Sequence, residues 1–390
     1  MSISAEGLLK ADSRLAGPAE SRELAPWVTT AFFAASAGFE AARHLDALPL
    51  GHRSGRLHGH SFLAQVRSAL PAGWARFPGG EVERLRSELE SCIALLDYRL
   101  LNERMPQPTD ANLARWLRSQ LEVPGIEQIS IQSTAHGGVD LDSAGHAHAW
   151  RRHVFQAAHQ LPKVAPLHKC GRMHGHGFEV IVHADQDLGA HRRAIDCDLL
   201  NEVWAPLGHQ LNHACLNDLP GLENPTSELL SSWLWQRIKP TLPELSWITV
   251  YETGSCGANF DGKHYRIWKE FTLDSALRLK HAPDGSALRR IHGHTYTLRL
   301  HLLAPLDEVM GWTLDFGDVK EIFTPIFEAL DHQPLHEIAD LPDCDTASIA
   351  TWILHKARAQ LPQLDRVDLF ETRGCGAIVF AGETRPALPV

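Results

Sequence analysis

Residues 175–184, GHGFEVIVHA, alternate apolar with polar positions and include β-branched residues, the pattern of a half-buried strand. The apolar run VFQAAHQL at 154–161 predicts a strand just before it, with a polar loop between the two. Downstream, NPTSELLSSWLWQRIKP shifts to helical spacing, with Leu229, Leu230, Trp233, Leu234 and Ile238 on one face. Asn224 or Thr226 can cap its start, and Glu228 falls in the first turn, where negative charge suits the helix dipole. SWITVYET at 246–253 returns to strand, and one more strand leads onward. Strands, then helices, then strands predict an α+β unit, an antiparallel sheet with helices on one face. Such a sheet alone has open edges, which tandem copies can close into a barrel.

The chain carries this unit three times. HGH triplets begin at His58, His174 and His292, offsets of 116 and 118, and a tryptophan follows each in a helical pattern, Trp116, Trp233 and Trp352. Two landmarks with nearly one period set the units at roughly 27–142, 151–262 and 264–385, after a polar extension over 1–26. The glycines of AHGGVDLDSAG, 135–145, mark the first junction and Gly262 the second.

Composition narrows the function classes. With 44% hydrophobic residues and 390 positions there is ample material for cores. A net charge of −10 argues against a general nucleic-acid binder, which would show basic stripes, while leaving room for a local basic pocket. No apolar run approaches the roughly 20 residues of a membrane helix, and the first residues carry no signal-peptide pattern. Seven irregularly spaced cysteines do not suggest a disulfide framework, so a reducing, cytoplasmic setting is expected. Twenty-four histidines direct attention to metal or acid–base chemistry.

Unit two holds the richest constellation. His174 and His176, two apart on a strand, project to one face. His159, 15 residues before His174 on the preceding strand, can supply a third imidazole. Three neutral imidazoles with an open fourth position suit catalytic Zn²⁺. An isolated H-x-H is commonly an ordinary surface pair; the third histidine and a cysteine four residues before the triplet argue otherwise. Cys170 can be a fourth ligand, a bland buried residue or a reactive thiol. Beside Lys169 and a cation its pKa is expected to be lowered. Cys197, Cys215 and Cys256 lack such surroundings and read as structural.

HKCGRMHGH at 168–176, with FQAAHQLP upstream and LNDLPGLENPTSE downstream, resembles the 6-carboxytetrahydropterin synthase family, the queuosine-pathway branch of the 6-pyruvoyltetrahydropterin synthase superfamily. The C-x-x-x-H-G-H spacing favours the carboxy-forming branch. The resemblance implies three tunnelling-fold units, each a four-stranded antiparallel sheet with two helices, in a twelve-stranded barrel, with two barrels stacked as a homodimer. It also implies zinc on His159, His174 and His176, a catalytic thiol at Cys170, and Glu252 as the pterin anchor through paired hydrogen bonds. The substrate it implies is 7,8-dihydroneopterin triphosphate, and the products are 6-carboxytetrahydropterin, acetaldehyde and triphosphate. Lys169 or Arg172 can meet the triphosphate, or be plain solvated surface.

The family's Leu-Asp-His stands here as Leu211-Asn212-His213 in unit two and as Leu330-Asp331-His332 in unit three. Unit three keeps Glu371, 39 residues past His332, the spacing from His213 to Glu252, but has Leu277 and Leu288 at the ligand and thiol positions. Unit one has Arg43, Ser54, Tyr98 and Ser133 at the four positions and reads as catalytically empty. The complementary losses suggest one composite centre per chain: zinc, Cys170 and Glu252 from unit two, with His213 beside them, and Asp331 and His332 from unit three. Two other outcomes stay open: a pyruvoyl-forming or other pterin side-chain lyase, and a pterin-binding protein without catalysis that uses Glu371.

Overall fold

The structure, a computed structural model, describes residues 29–165, 167–187, 195–303, 305–306 and 314–381; the polar extension over 1–26 lies outside them. Unit one contributes β1 (Thr29–Arg43), β2 (His58–Ser68), β3 (Ile126–Thr134) and β4 (Gly137–Leu141). Unit two contributes β5 (Ala147–His159), β6 (His174–Asp185), β7 (Leu245–Thr253) and β8 (Cys256–Phe260). Unit three contributes β9 (Tyr265–Leu277), β10 (His292–Leu303), β11 (Leu364–Thr372) and β12 (Cys375–Ala381). Each pairs antiparallel with its sequence neighbour, and β12 returns to β1 with Thr29 opposite Ala381 and Ala34 opposite Gly376. The twelve strands thus close a barrel, and closure removes the open edges of the single units.

Two helices follow the second strand of each unit: α1 (Glu81–Ile93) and α2 (Asp110–Gln120), α3 (Cys197–Leu211) and α4 (Ser227–Ile238), α5 (Phe316–Glu328) and α6 (Thr346–Arg358). The three period-marking tryptophans lie on α2, α4 and α6. On α4, Thr226 is the cap, accepting from the Leu229 N–H at 3.2 Å, and Leu230, Trp233, Leu234 and Ile238 are buried against the sheet. Helices cannot enter a closed lumen, so the strand face they cover is the outer one. That face is apolar and repeats across hairpins: Phe39 stacks on Phe62 at 4.8 Å and Phe155 on Phe178 at 5.0 Å.

The inner face is more polar. Arg366 clasps Asp368 through two 2.6 Å bonds, and His301 meets the same carboxylate at 3.1 Å, all buried. Burial and the Arg366 charge push the His301 imidazole down to about 3, so it stays neutral there.

The glycines of 135–145 differ from their expected linker role. Gly137 and Gly138 lie inside β4, and the turn between units is Asp142–His146, with Gly145 at φ +92°. A Cβ on Gly138 would meet the Ile131 carbonyl at 2.3 Å; the equivalent Gly257 and Gly376 would meet carbonyls at 2.0 Å. These glycines serve close strand approach at a bulged hairpin, three times over.

Candidate metal centre and active site

Register places the histidines. His159 ends β5 opposite His174, which begins β6, and His176 follows two residues later on the same face. The three ligand nitrogens lie within 4.8 Å of one another, and Nε2 of His159 is 3.1 Å from Nε2 of His176. Each Nδ1 faces a backbone carbonyl: Pro225 for His159 at 3.3 Å, Arg172 for His174 at 2.8 Å, Gly177 for His176 at 3.3 Å. Donation from Nδ1 fixes the tautomer that turns the Nε2 lone pairs toward one point, the outer-shell arrangement of a metal-binding histidine. Burial lowers the pKa of His159, with the neighbouring His174 and His176 adding to this and Glu252 opposing it. This donor set fits a zinc ion by number, tautomer and neutrality.

A cavity of about 840 Å³ opens beside the histidines. Cys170 lines it from a short 3₁₀ turn, Lys169–Gly171, and Glu252 from the end of β7. The thiol is outside the three-nitrogen cluster, which leaves the fourth position open. Glu252 Oε2 accepts from Ser227 Oγ at 2.7 Å, and its Oε1 takes no hydrogen bond among the described residues. Lys169 alone does not lower the thiol pKa: burial and the Glu252 carboxylate push Cys170 up, and Lys169 only partly opposes them. All seven cysteines are free thiols.

Unit three completes the wall. Lys269 of β9 and Phe316 and Lys320 of α5 line the cavity, and Asp315 caps α5 while meeting Nε2 of His168 at 3.2 Å. These residues carry no motif. Only the helix-start pattern at Asp315 is visible locally, and its pairing with a histidine of another unit is not.

The composite centre expected within one chain is not formed by unit three. The start of α5 faces Cys170, while Asp331 and His332 follow its far end, roughly 20 Å along a helix of this length, and do not line the cavity. His332 is 76% exposed; its Nδ1 is 2.8 Å from Asp331 Oδ2. His213 takes the matching place in unit two, exposed and next to Asn212. The dipeptides share a backbone role. Tyr98, His213 and His332 have φ of 52°, 59° and 56°, and each donates its N–H to a strand carbonyl at 2.6 Å. The preceding Asp97, Asn212 and Asp331 accept from the same strand residue at 2.9–3.0 Å. Asparagine keeps that bond and loses only the charge.

Glu371 lies in a separate place, 4.0 Å from His294 Nε2, with Leu277 buried where a ligand would sit. Burial and the Glu83 carboxylate of unit one push it up to about 7, against the pull of Arg86. The structure therefore brings together His159, His174, His176, Cys170 and Glu252, and leaves Asp331, His332, His213 and Glu371 apart from them.

Among known sequences, the model of the 6-pyruvoyl tetrahydropterin synthase family matches residues 148–263 and again 266–381, together more than half of the chain. The 6-carboxy-5,6,7,8-tetrahydropterin synthase of Synechocystis sp. is 34% identical over 118 residues, 28% of this chain and 90% of that protein. The dihydroneopterin monophosphate aldolase of Pyrococcus furiosus is 32% identical over 109 residues, 27% of this chain and 89% of that protein. Among solved structures, the 6-pyruvoyl tetrahydropterin synthase of Caenorhabditis elegans aligns over 30% of this chain and 95% of its own, with 18% identity and a TM-score of 0.28. Unit one, outside both matched segments, has the same order of strands and helices as the other two. Two successive family matches, falling on the units that pack into one barrel, make this chain a tandem member of the 6-pyruvoyl tetrahydropterin synthase family.

Proposed function

We propose that the protein is a zinc-dependent pterin synthase of the carboxy-forming type, acting on 7,8-dihydroneopterin triphosphate. With one water, the substrate yields 6-carboxytetrahydropterin, acetaldehyde and triphosphate. The observation that carries this reading is the convergence of three imidazole nitrogens at the edge of a cavity that Cys170 and Glu252 line. The Synechocystis relative's name supports the carboxy-forming outcome.

His159, His174 and His176 would hold the ion, which supplies Lewis-acid polarisation of the side-chain hydroxyls when bound. Glu252 accepts from the amino and ring N–H groups of the pterin through its free Oε1, with Ser227 fixing the carboxylate. Cys170 takes and returns a side-chain proton. Asp331 and His332 are exposed at the end of α5 and enter from a second copy of the barrel, which makes the homodimer the catalytic unit. The Asp331 carboxylate raises the pKa of His332 and readies it to carry a proton. His213 lacks such a partner and is the alternative carrier.

Incubating the protein with 7,8-dihydroneopterin triphosphate and identifying products by mass spectrometry tests this. Acetaldehyde with 6-carboxytetrahydropterin supports it; a pyruvoyl product or none overturns it. The Pyrococcus relative's name favours a second reading, side-chain cleavage by an aldolase reaction, which would give 6-hydroxymethyl-7,8-dihydropterin and glycolaldehyde triphosphate instead. Asp331→Ala or His332→Ala should abolish turnover while about one zinc per chain stays bound; full turnover in either would remove the pair from the mechanism.

A further inference from the structure

Unit one has a cavity of its own, about 510 Å³, between the β1–β2 hairpin and α3 of unit two. It is the counterpart of the unit-two cavity with different chemistry. Ser133 stands where Glu252 does, Ala111 where Glu228 does, and Arg43 where His159 does. Glu252 and Glu228 thus have no counterpart here and Arg43 is added, while Asp110 and Asp198 stand where Ser227 and Gly317 do and Asn201 where Lys320 does.

The three carboxylates that remain on this wall are already engaged. Asp110 binds Arg43 and Ser133, each at 2.6 Å. Asp198 is held by His52 at 3.1 Å and by Arg53. Asp196 caps α3 and accepts from Leu199 N–H at 2.8 Å. The cations are not all engaged. Arg151 uses Nε on Asn201 at 3.0 Å, and its two terminal nitrogens make no hydrogen bond among the described residues. The Arg56 guanidinium makes none there either, and His58 commits only Nδ1, to the Arg56 carbonyl. Arg43, 7% exposed, keeps a buried Nε without a partner. Leu45, Leu48, Val139 and Ile195 supply apolar wall.

We propose that this cavity binds a small molecule bearing a carboxylate or phosphate on an apolar body, the oxyanion resting on Arg56, Arg151 and His58. Arginine's fixed fork of donors suits either oxyanion, and a pocket with apolar walls and few converging polar groups is the usual build of a small-molecule site. The proposal does not depend on the reaction assigned to unit two.

Calorimetric titration of the zinc-loaded full chain with inorganic phosphate and, separately, with benzoate tests it. A saturable event that survives in the unit-two variant Arg172→Gln/Lys269→Gln is expected for at least one probe; phosphate alone identifies a phosphate ester, benzoate alone a carboxylate. The double variant Arg56→Gln/Arg151→Gln should weaken that event at least about tenfold, a loss of one good charged contact. Arg56→Gln alone, at an exposed side chain with no internal bond, should weaken it in the same direction and keeps the test clear of misfolding. The matching unit-two variant Arg172→Gln/Lys269→Gln should leave it unchanged. Absence of binding by both probes, or binding that follows the unit-two residues instead, overturns the proposal.

Discussion

The first hairpins of units one and two share a backbone and differ in what sits at their mouth. Arg43 faces His58 across one as His159 faces His174 across the other. Arg43 donates to the Pro108 carbonyl at 2.8 Å, and His159 meets the equivalent Pro225 carbonyl at 3.3 Å. Arg43 Nη2 is 3.3 Å from His60 Nε2, and His159 Nε2 is 3.1 Å from His176 Nε2. A guanidinium thus occupies the place where unit two gathers donors for an ion. The carboxylates have changed sides as well. In unit one Asp110, first residue of α2, accepts from Ser133 on β3; in unit two Ser227, first residue of α4, donates to Glu252 on β7. The same place is filled by a guanidinium in unit one, by three imidazoles in unit two and by the buried Leu277 in unit three, so the hairpin accepts a charge there without requiring one.

Exchanging the two residues breaks the comparison most sharply. Arg43→His would give unit one three imidazoles, and bound zinc measured by atomic emission should rise from about one to about two per chain. His159→Arg should empty unit two of metal and reduce turnover by more than the roughly 100-fold typical of lost outer-shell partners. An unchanged metal count in both would contradict the equivalence of the two hairpins. Next in size, Arg43→Ala leaves the Asp110 carboxylate in a mostly buried setting with only Ser133, and should cost about 3–5 kcal/mol, seen as a large drop in unfolding temperature. Ser227→Ala removes one hydrogen bond from Glu252 and should weaken pterin binding by about 1 kcal/mol, a rise in KM with little change in kcat if Glu252 acts only as anchor.

The smallest effect concerns pH. Glu371 has a folded-state pKa raised to about 7, above its unfolded value, so the folded state holds its proton longer. Between the ordinary carboxylate range and about 7 this costs stability as pH rises, and above that the loss is complete. Glu371→Gln should therefore gain melting temperature relative to the parent at pH 8 and show little difference at pH 5. An equal difference at both values would show that the carboxyl is not perturbed.

Much of this was legible in the chain. The repeat was visible because HGH and tryptophan recur at one period, and the three histidines because a two-residue strand spacing puts His174 and His176 on one face. The Arg43–Asp110 pair was not, since an arginine at a ligand position reads as a loss until its partner 67 residues away is seen. Around Cys170 the sequence shows only Lys169, while burial and Glu252, 82 residues on, push its thiol the other way. Lys269, Asp315 and Lys320 belong to the following unit, and the pairing of β8 with β9 brings that unit against the site.

The left-handed conformation shared by Tyr98, His213 and His332 has a wider consequence. A bend of this kind, pinned to a strand by a backbone bond and by the side chain just before it, is a hinge pin of the architecture before it is anything chemical. Selection for shape alone will preserve an aspartate or asparagine there in copies that have lost all reactivity. In any fused descendant of such barrels, the dipeptide's survival marks a sound joint, and its ring and charge must be weighed separately to decide whether a working centre is near.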